Sequence, residues 1–469
     1  MIKLKNQVKI PSWISCRTYF FGEEESRTYI ANEKNHSYIQ LDGLASDMWK
    51  MLCDNIDDEL FLQWAQEHGV TEEVADFIYQ LQGQDLVVLS AQANENGIDE
   101  GYQPLNENDG DEEKLFVDEM QQWLYSKKFL YSLFFELTYR CDLKCVHCYN
   151  PKHMASIELD VETCKRAIDE AYDLGCFRVT FSGGEATLHT KFIELVRYAR
   201  SKYMSVEIFT NGQTLIKNEE TYKKLIGLYP YRICVSLYSM EKETHDKVTA
   251  VGGSFENTHA LVRKLRENNV NVQIKNFLLN FNCMHCIQVK DFAKEVGATS
   301  IADLSLIPTI EGDKKTLQYE LDENSLFALY TDKNSPLYIG EDFKKFDFEK
   351  IKDGALCKGG MTGLCVTPKG EVTICVSMPY SVGNLNEGSL KDIWNFAMAE
   401  EETSKLYQWL KLTIKDLEEC YKEEYCKFCN YCPGMGYLES GYLKRSDVLC
   451  KQAKIKMKAY NTLKERENN

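Results

Sequence analysis

The chain has 469 residues, of which 44% are hydrophobic, and a formal net charge of −17. That length calls for roughly two to four domains, and the acidic balance argues against wholesale nucleic-acid binding, which needs basic surface. No run of 18 apolar residues and no signal-peptide core occurs, so no membrane span is expected and the cytoplasm is the expected location.

Residues 1–90 read as a small module. Thr28–Ala31 and Tyr38–Leu41 form a strand pair, and Asp42-Gly43 follows. Helical spacing then runs through Trp49, Met51 and Leu52, through Leu60, Phe61 and Trp64, and through Val74, Phe77, Ile78 and Leu81; Leu86–Leu89 closes as a strand. A small sheet with three helices is the pattern of a winged helix. Residues 91–113 carry eight acidic side chains and no Lys or Arg, which is the composition of a solvated linker.

From 114 to 340 strand and helix alternate. The strands are Leu133–Leu137, Arg178–Phe181, Val206–Phe209, Ile233–Leu237, Val272–Phe277 and Ser300–Ile307. Helices such as Val161–Leu174, Lys191–Met204, Ser254–Asn268 and Cys286–Val296 separate them. The alternation means βαβ units on a parallel sheet, and six units make a partial α/β barrel short of the full eight. From 341 to 469 the periodicity weakens, and Lys451–Glu467 reads as a basic surface helix.

Cysteine is the unusual count, at 18, and it is clustered. Cys141, Cys145 and Cys148 form a CxxxCxxC run just after the first barrel strand. Eight more follow residue 356: Cys357, Cys365, Cys375, Cys420, Cys426, Cys429, Cys432 and Cys450. In a long chain without a secretory signal, such clustering points to metal or iron–sulfur ligation. Three thiolates on a four-iron cluster leave one iron open for a ligand. A zinc knuckle normally wants a fourth Cys or His, and spacing alone does not separate zinc from iron–sulfur at the C-terminal set. Cys283 and Cys286 form a further CxxC, read as buried or incidental, with a labile metal or redox role as the alternative. Cys16, Cys53, Cys164, Cys176 and Cys234 read as structural.

The next three strand ends carry ligand-type residues. Strand two runs into Ser182-Gly183-Gly184-Glu185, where two glycines admit close backbone approach and Glu185 offers an acceptor for an ammonium group. Strand three ends at Thr210-Asn211-Gly212, suited to a ribose, and strand four at Val235-Ser236-Leu237. Active sites of parallel barrels form at these C-terminal ends.

CxxxCxxCY followed by GGE, TNG and VSL resembles the radical S-adenosylmethionine (SAM) superfamily. The resemblance implies reductive cleavage of SAM to a 5′-deoxyadenosyl radical that abstracts hydrogen from a substrate. By match, Cys141, Cys145 and Cys148 would ligate the SAM-binding 4Fe–4S cluster. Ser182, Gly183, Gly184 and Glu185 would bind the methionyl amine, Asn211 would lie near the ribose, and Ser236 near the SAM tail. Two departures stand out. Ala186 replaces a frequent Pro. Thr249 stands where many relatives, shortly after the pair seen here as His245-Asp246, carry an Arg that holds the SAM carboxylate, so that contact has no assigned residue. The C-terminal cysteines resemble the SPASM extension with its two auxiliary 4Fe–4S clusters, which brings the implied total to three. Family order would give Cys357, Cys365, Cys375 and Cys432 to the first and Cys420, Cys426, Cys429 and Cys450 to the second, although the later spacing departs from the usual pattern. The N-terminal stretch Tyr38–Ala45, with Met48-Trp49 and the helices behind it, resembles the PqqD-like recognition element, which implies a leader peptide added as a strand. A DNA-binding winged helix is the alternative, opposed by the acidic residues at 54–60 and 72–76.

The resemblance thus implies an α/β fold: a partial (β/α)6 radical SAM barrel, an N-terminal winged-helix-like module and a C-terminal cysteine-rich iron–sulfur domain. It also implies a maturase of a ribosomally made precursor peptide, with a flavodoxin or ferredoxin as electron donor and neither nucleic acid nor membrane as partner. Likeness of the Cys432-Pro433-Gly434 region to thioether-forming maturases makes Cys thioether crosslinks the leading product. Carbon–carbon crosslinking or epimerisation is the alternative, and a non-catalytic metal-cluster protein that only binds a peptide is the alternative of another class. Sulfatase maturation fits less well, because Val376 follows Cys375 where those enzymes usually carry Asp.

Overall fold

The computed structural model describes residues 8–21, 25–89, 101–103, 109–151, 154–340, 343–417 and 419–467, without the side chains of 109–112 and 467. The N-terminal module holds β1 (Val8–Lys9), β2 (Ile14–Phe20), β3 (Ser26–Asn32), β4 (Ser37–Asp42) and β5 (Val88–Leu89). β2, β3 and β4 form an antiparallel sheet in that order, so β4 is an outer strand, and β1 pairs with β5. The helices Leu44–Cys53, Asp58–Glu67 and Glu73–Gly83 pack Trp49, Phe61, Ile78 and Leu81 into one core with Ile14 and Ile30. β2 lay outside the sequence expectation, and the closing strand is two residues rather than four. Leu86 and Val87 are buried in the core without strand pairing.

The module is stapled to the barrel. Arg200, at the end of the helix Phe192–Ser201, donates to the carbonyls of Ser12 (2.7 Å), Ile14 (3.0 Å) and Leu228 (3.0 Å). Cys16 N–H donates to Tyr203 O at 2.8 Å. The expected solvated linker is corrected at both described parts. Tyr102 is buried and donates to Pro230 O at 3.1 Å. Residues from Asp109 onward already belong to the helix Asp109–Ser126, whose Phe116, Met120 and Leu124 pack against the N-terminal sheet. An aromatic ring and an apolar helical face bury whatever the surrounding charge. Residues 91–100 and 104–108 lie outside the described residues.

The barrel strands are β6 (Ser132–Glu136), β7 (Arg178–Ser182), β8 (Ser205–Thr210), β9 (Arg232–Ser236), β10 (Val272–Phe277) and β11 (Thr299–Asp303), each parallel to the next. β11 stops four residues short of expectation: Leu306 and Ile307 are buried by packing, and Leu306 N–H turns back to Leu304 O. Alternation sends Val179, Phe181, Val206, Ile208, Val235 and Ile274 outward into the core under the helices. The opposite positions, among them Glu136, Ser182, Phe209, Ser236 and Lys275, face the lumen.

The sheet does not end at β6. β12 (Gly363–Val366) pairs with it in parallel, and β13 (Glu371–Cys375) and β14 (Met378–Asn384) follow antiparallel. The sheet order is β11-β10-β9-β8-β7-β6-β12-β13-β14. The start of the cysteine-rich region therefore extends the barrel wall. The C-terminal helix begins at Asp447, earlier than expected, and is not purely a surface element: Ala453, Ile455 and Ala459 are buried, the last two against Leu326 and Leu329 of the helix Glu323–Thr331. No helix among the described residues is long and apolar enough to cross a membrane.

Candidate active site at the strand ends

The Cys141–Cys148 loop leaves β6 and crosses the mouth of the lumen. Lys144 N–H and Val146 N–H donate to the carbonyls of Thr249 (3.0 Å) and Val248 (2.9 Å), which pins the loop to the helix Lys242–Thr249 after β9. His147 stacks on Phe277 of β10 at 4.6 Å between centroids and meets Tyr238 edge-on at 5.1 Å. Cys141 is exposed; Cys145 and Cys148 are half-buried. Burial, reinforced by the charges of Cys148 and Cys141, pushes the Cys145 thiol up. Three thiolates so placed would repel one another, and a bound metal cation would make such a set tolerable.

The glycine pair after β7 lies against this loop. Gly184 N–H donates to Thr138 O (2.7 Å) and Glu185 N–H to Arg140 O (2.9 Å). Gly183 has φ +127°, a conformation that side chains resist. A Cβ on Gly184 would stand 2.5 Å from Arg140 O and 2.7 Å from Tyr139 O. The glycines therefore serve close backbone packing under the cluster loop. Glu185 is buried. Its Oε1 accepts from Thr187 N–H, Thr187 Oγ1 (2.6 Å) and Thr210 Oγ1 (2.9 Å), and its Oε2 accepts from Asn211 N–H (2.7 Å). Three donors crowd Oε1 and one reaches Oε2, so Oε2 is the oxygen that keeps a lone pair for a further donor such as an ammonium.

Asn211 is tied to the cluster loop. Its Nδ2 donates to Asp142 Oδ1 at 2.7 Å and lies 3.6 Å from Cys141 Sγ, while its Oδ1 accepts from Gln213 N–H at 2.9 Å. It braces the cluster loop. Ser236 is half-buried at the lumen end of β9. Thr249 is fully buried, with its hydroxyl on Asp246 O, Val251 O and Ser254 Oγ. Asp246 accepts from Gly253 N–H, Phe255 N–H and Ser254 Oγ, capping the helix Ser254–Glu267.

Sequence reasoning missed Glu136. It ends β6 in the lumen, 3% exposed, and accepts from Tyr149 Oη at 2.9 Å. Burial lifts its carboxyl from 4.5 to about 7, with the Tyr149 hydrogen bond opposing. The signal was available: an acidic residue inside the apolar run Leu133–Leu137.

Two groups of thiols form in the C-terminal region. Cys420, Cys426, Cys429 and Cys450 line one small cavity with Tyr421, Tyr425 and Arg445. Burial, then the charges of Cys450, Cys420 and Cys426, pushes Cys429 up to about 12. Cys357, Cys375 and Cys432 form the second group: burial pushes Cys375 up to about 11, with the charges of Cys432 and Cys357 adding to it. Cys365 lies in mid-β12, buried, opposite Phe134 and opposite Thr373, which is two residues from Cys375. Glu136 and Cys375 are the charged neighbours that, after burial, raise its thiol. Among the described residues no three His, Cys, Asp or Glu side chains close on a single metal-ion point; the thiols do not converge that tightly. They are grouped instead around one loop, one cavity and one sheet end, which fits the larger footprint of clusters.

Of the remaining cysteines, Cys283 and Cys286 are buried among Leu278, Leu326 and Leu329. Cys16, Cys164, Cys176 and Cys234 are buried, and Cys53 is half-buried with its Sγ 3.8 Å from that of Cys16.

Comparison with known proteins agrees with this geometry. Residues 135–288 match the radical SAM superfamily, and residues 357–433 match the SPASM iron–sulfur cluster-binding domain. An AdoMet-dependent heme synthase of Methanosarcina barkeri is 28% identical over 341 residues, 67% of this chain and 94% of that protein. The antilisterial bacteriocin subtilosin biosynthesis protein AlbA of Bacillus subtilis is 27% identical over 324 residues, 64% of this chain and 66% of that protein. Among solved structures, Streptococcus suis SuiB bound to its precursor peptide SuiA superposes with a TM-score of 0.52 at 18% identity. The match covers 94% of this chain and 99% of that one, a likeness of fold.

Proposed function

The chain is a radical SAM enzyme with a SPASM domain, and on that premise we propose that it matures a ribosomally synthesised precursor peptide, installing Cys thioether crosslinks. Its cofactors are S-adenosyl-L-methionine and 4Fe–4S clusters, auxiliary clusters among them. Bound together and reduced, they supply a 5′-deoxyadenosyl radical that removes a hydrogen atom from the substrate. On this reading residues 1–90 hold the leader peptide, residues 114–340 form the radical site, and residues 341–469 carry the auxiliary clusters. Cys141, Cys145 and Cys148 hold the SAM-binding cluster. The backbone of Ser182–Gly184 and Oε2 of Glu185 receive the methionyl ammonium, while Asn211 keeps the loop in place. Cys420, Cys426, Cys429 and Cys450 hold one auxiliary cluster, and Cys357, Cys365, Cys375 and Cys432 hold the other. The enzyme works in the cytoplasm with a flavodoxin or ferredoxin as electron donor.

The observation that carries the peptide reading is the N-terminal sheet. β4 is an outer strand with a strand neighbour on one side only, so its free edge offers backbone groups to an added peptide strand. The AlbA relative, named for bacteriocin biosynthesis, supports the same direction. The heme synthase relative favours a second reading, in which the barrel acts on a tetrapyrrole. One experiment separates the two. The anaerobically reconstituted enzyme is mixed with SAM, reductant and synthetic Cys-containing peptides taken from any short reading frames beside its gene, and the product is read by mass spectrometry. Thioether formation removes the mass of two hydrogens per crosslink and consumes one Cys thiol. Loss of hydrogens with every thiol still alkylatable would instead indicate carbon–carbon crosslinks. An unchanged peptide, together with turnover of an iron porphyrin precursor, would overturn the peptide reading.

A further inference from the structure

SAM carries a carboxylate as well as an ammonium, and a carboxylate inside a barrel needs a cation. Thr249, which stands where many relatives carry an Arg, is fully buried and its hydroxyl is committed to three groups around the cap of the next helix. On β7 to β10 the lumen-facing cations are Arg178, Arg232 and Lys275. Arg232 pairs with Glu207 at 2.8 Å, and Arg178 lies over the Tyr231 ring at 3.7 Å, both on the barrel floor. Lys275 sits higher. It pairs in register with Ser236 on β9, one step beyond the Thr210–Val235 pair that leads into Asn211. Two residues on, and on the same face, Phe277 carries the stacked His147 of the cluster loop. The Lys275 side chain is half-exposed to the lumen. Its Nζ reaches across to the Phe209 ring, 5.3 Å from the centroid, and makes no ion pair or hydrogen bond within the described residues.

We propose that Lys275 receives the carboxylate of SAM, replacing a cation on the helix after β9 with one on the neighbouring strand. A lysine ammonium approaches a carboxylate as a point charge from a flexible stem, which suits a residue that must reach up beneath the cluster loop.

The test reads binding, so it depends on SAM being the cofactor and not on the peptide reading. Equilibrium dialysis of labelled SAM against the reconstituted, unreduced enzyme is run beside decarboxylated SAM, with no peptide present. Lys275→Met is expected to weaken SAM about ten- to hundred-fold, the range of a charge-assisted hydrogen bond, and to leave iron content and the affinity for decarboxylated SAM unchanged. Lys275→Arg is expected to recover most of the loss. Equal weakening of both ligands by Lys275→Met would mean that the lysine only shapes the lumen, and would overturn the proposal. So would an unchanged SAM affinity. Should Lys275→Met fail to fold, Lys275→Arg decides alone: a loss as large for decarboxylated SAM as for SAM overturns it.

Discussion

The Cys141–Cys148 loop and the Cys420–Cys450 group both gather thiols, but on different supports. The first hangs on a parallel sheet: its backbone is bonded to Thr249 and Val248, its side is braced by Asn211, and Gly183 and Gly184 fill the space beneath it. The second rings a cavity between a short turn of helix at Glu424–Phe428 and the helix starting at Asp447. Cys420 and Cys429 sit in irregular chain, Cys426 in that short helix and Cys450 in the first turn of the last one. The contrast teaches where cluster and fold are coupled. The barrel holds its loop ready for iron, whereas the tail owes part of its fold to the ligands it binds, because metal binding to an unformed site is folding free energy.

Breaking the barrel site should give the largest effect. Cys145→Ser is expected to abolish 5′-deoxyadenosine production and to remove about four irons per chain, one cluster's worth, while thermal unfolding changes little. Anaerobic iron assay, chromatographic detection of deoxyadenosine and calorimetry read the three quantities together. A large fall in melting temperature would remove the contrast.

Cys429→Ser should show the reverse pattern. Loss of one of four thiolates is expected to release about four irons, to expose the tail to limited proteolysis and to lower its melting temperature, with SAM cleavage in the absence of peptide kept within a few-fold. If deoxyadenosine falls as far as in Cys145→Ser, the two regions are one electronic unit and the comparison fails.

How much of this was legible in the sequence follows the same division. The barrel was readable because strand and helix periods alternate and because each functional residue sits at a strand end fixed by that alternation. Gly183 and Gly184 were readable for the same reason: few residues other than glycine tolerate that backbone approach. The pairing of β12 with β6 was not, since Gly363–Val366 and Ser132–Phe135 are far apart in sequence and strand pairing leaves no local mark. β2 was missed because Ser15, Arg17 and Thr18 interrupt its apolar residues, and one face is buried by tertiary contact rather than by pattern. Asn211 was legible as a polar residue at a strand end, but its bond to Asp142, a partner from another strand end, was not. The grouping of Cys420 with Cys450 likewise depends on how the last helix folds back.

A smaller effect separates the lumen from the surface. Glu136 is uncharged when buried at low pH and ionises at about 7, above its value of 4.5 when exposed. Between those values the unfolded state releases the proton first, so this group lowers stability as pH rises from about 4.5 through about 7, and its penalty is complete above that. Glu136→Gln keeps an acceptor for Tyr149 and removes the titration. The variant should therefore gain on the wild type with rising pH, by at most about 3 kcal/mol between pH 4.5 and 8. Urea midpoints at the two pH values check the sign; a gain at low pH instead would place Glu136 in contact with a cation.

The smallest expected effect on SAM cleavage concerns Cys365, and it sharpens the comparison most. The residue sits in β12 at the seam where barrel wall and cysteine-rich region become one sheet, its thiol raised by burial, by Glu136 and by Cys375. It pairs across to Thr373 of β13, two residues from Cys375, which ends that strand and joins Cys357 and Cys432. Ladder pairing therefore holds two thiols of this group in place on the sheet. Cys365→Ser is expected to shift the cluster spectrum and to release at most about four irons, with SAM cleavage in the absence of peptide unchanged. Full iron content with a wild-type spectrum would instead leave the cluster on Cys357, Cys375 and Cys432 and take the sheet seam out of its ligand shell.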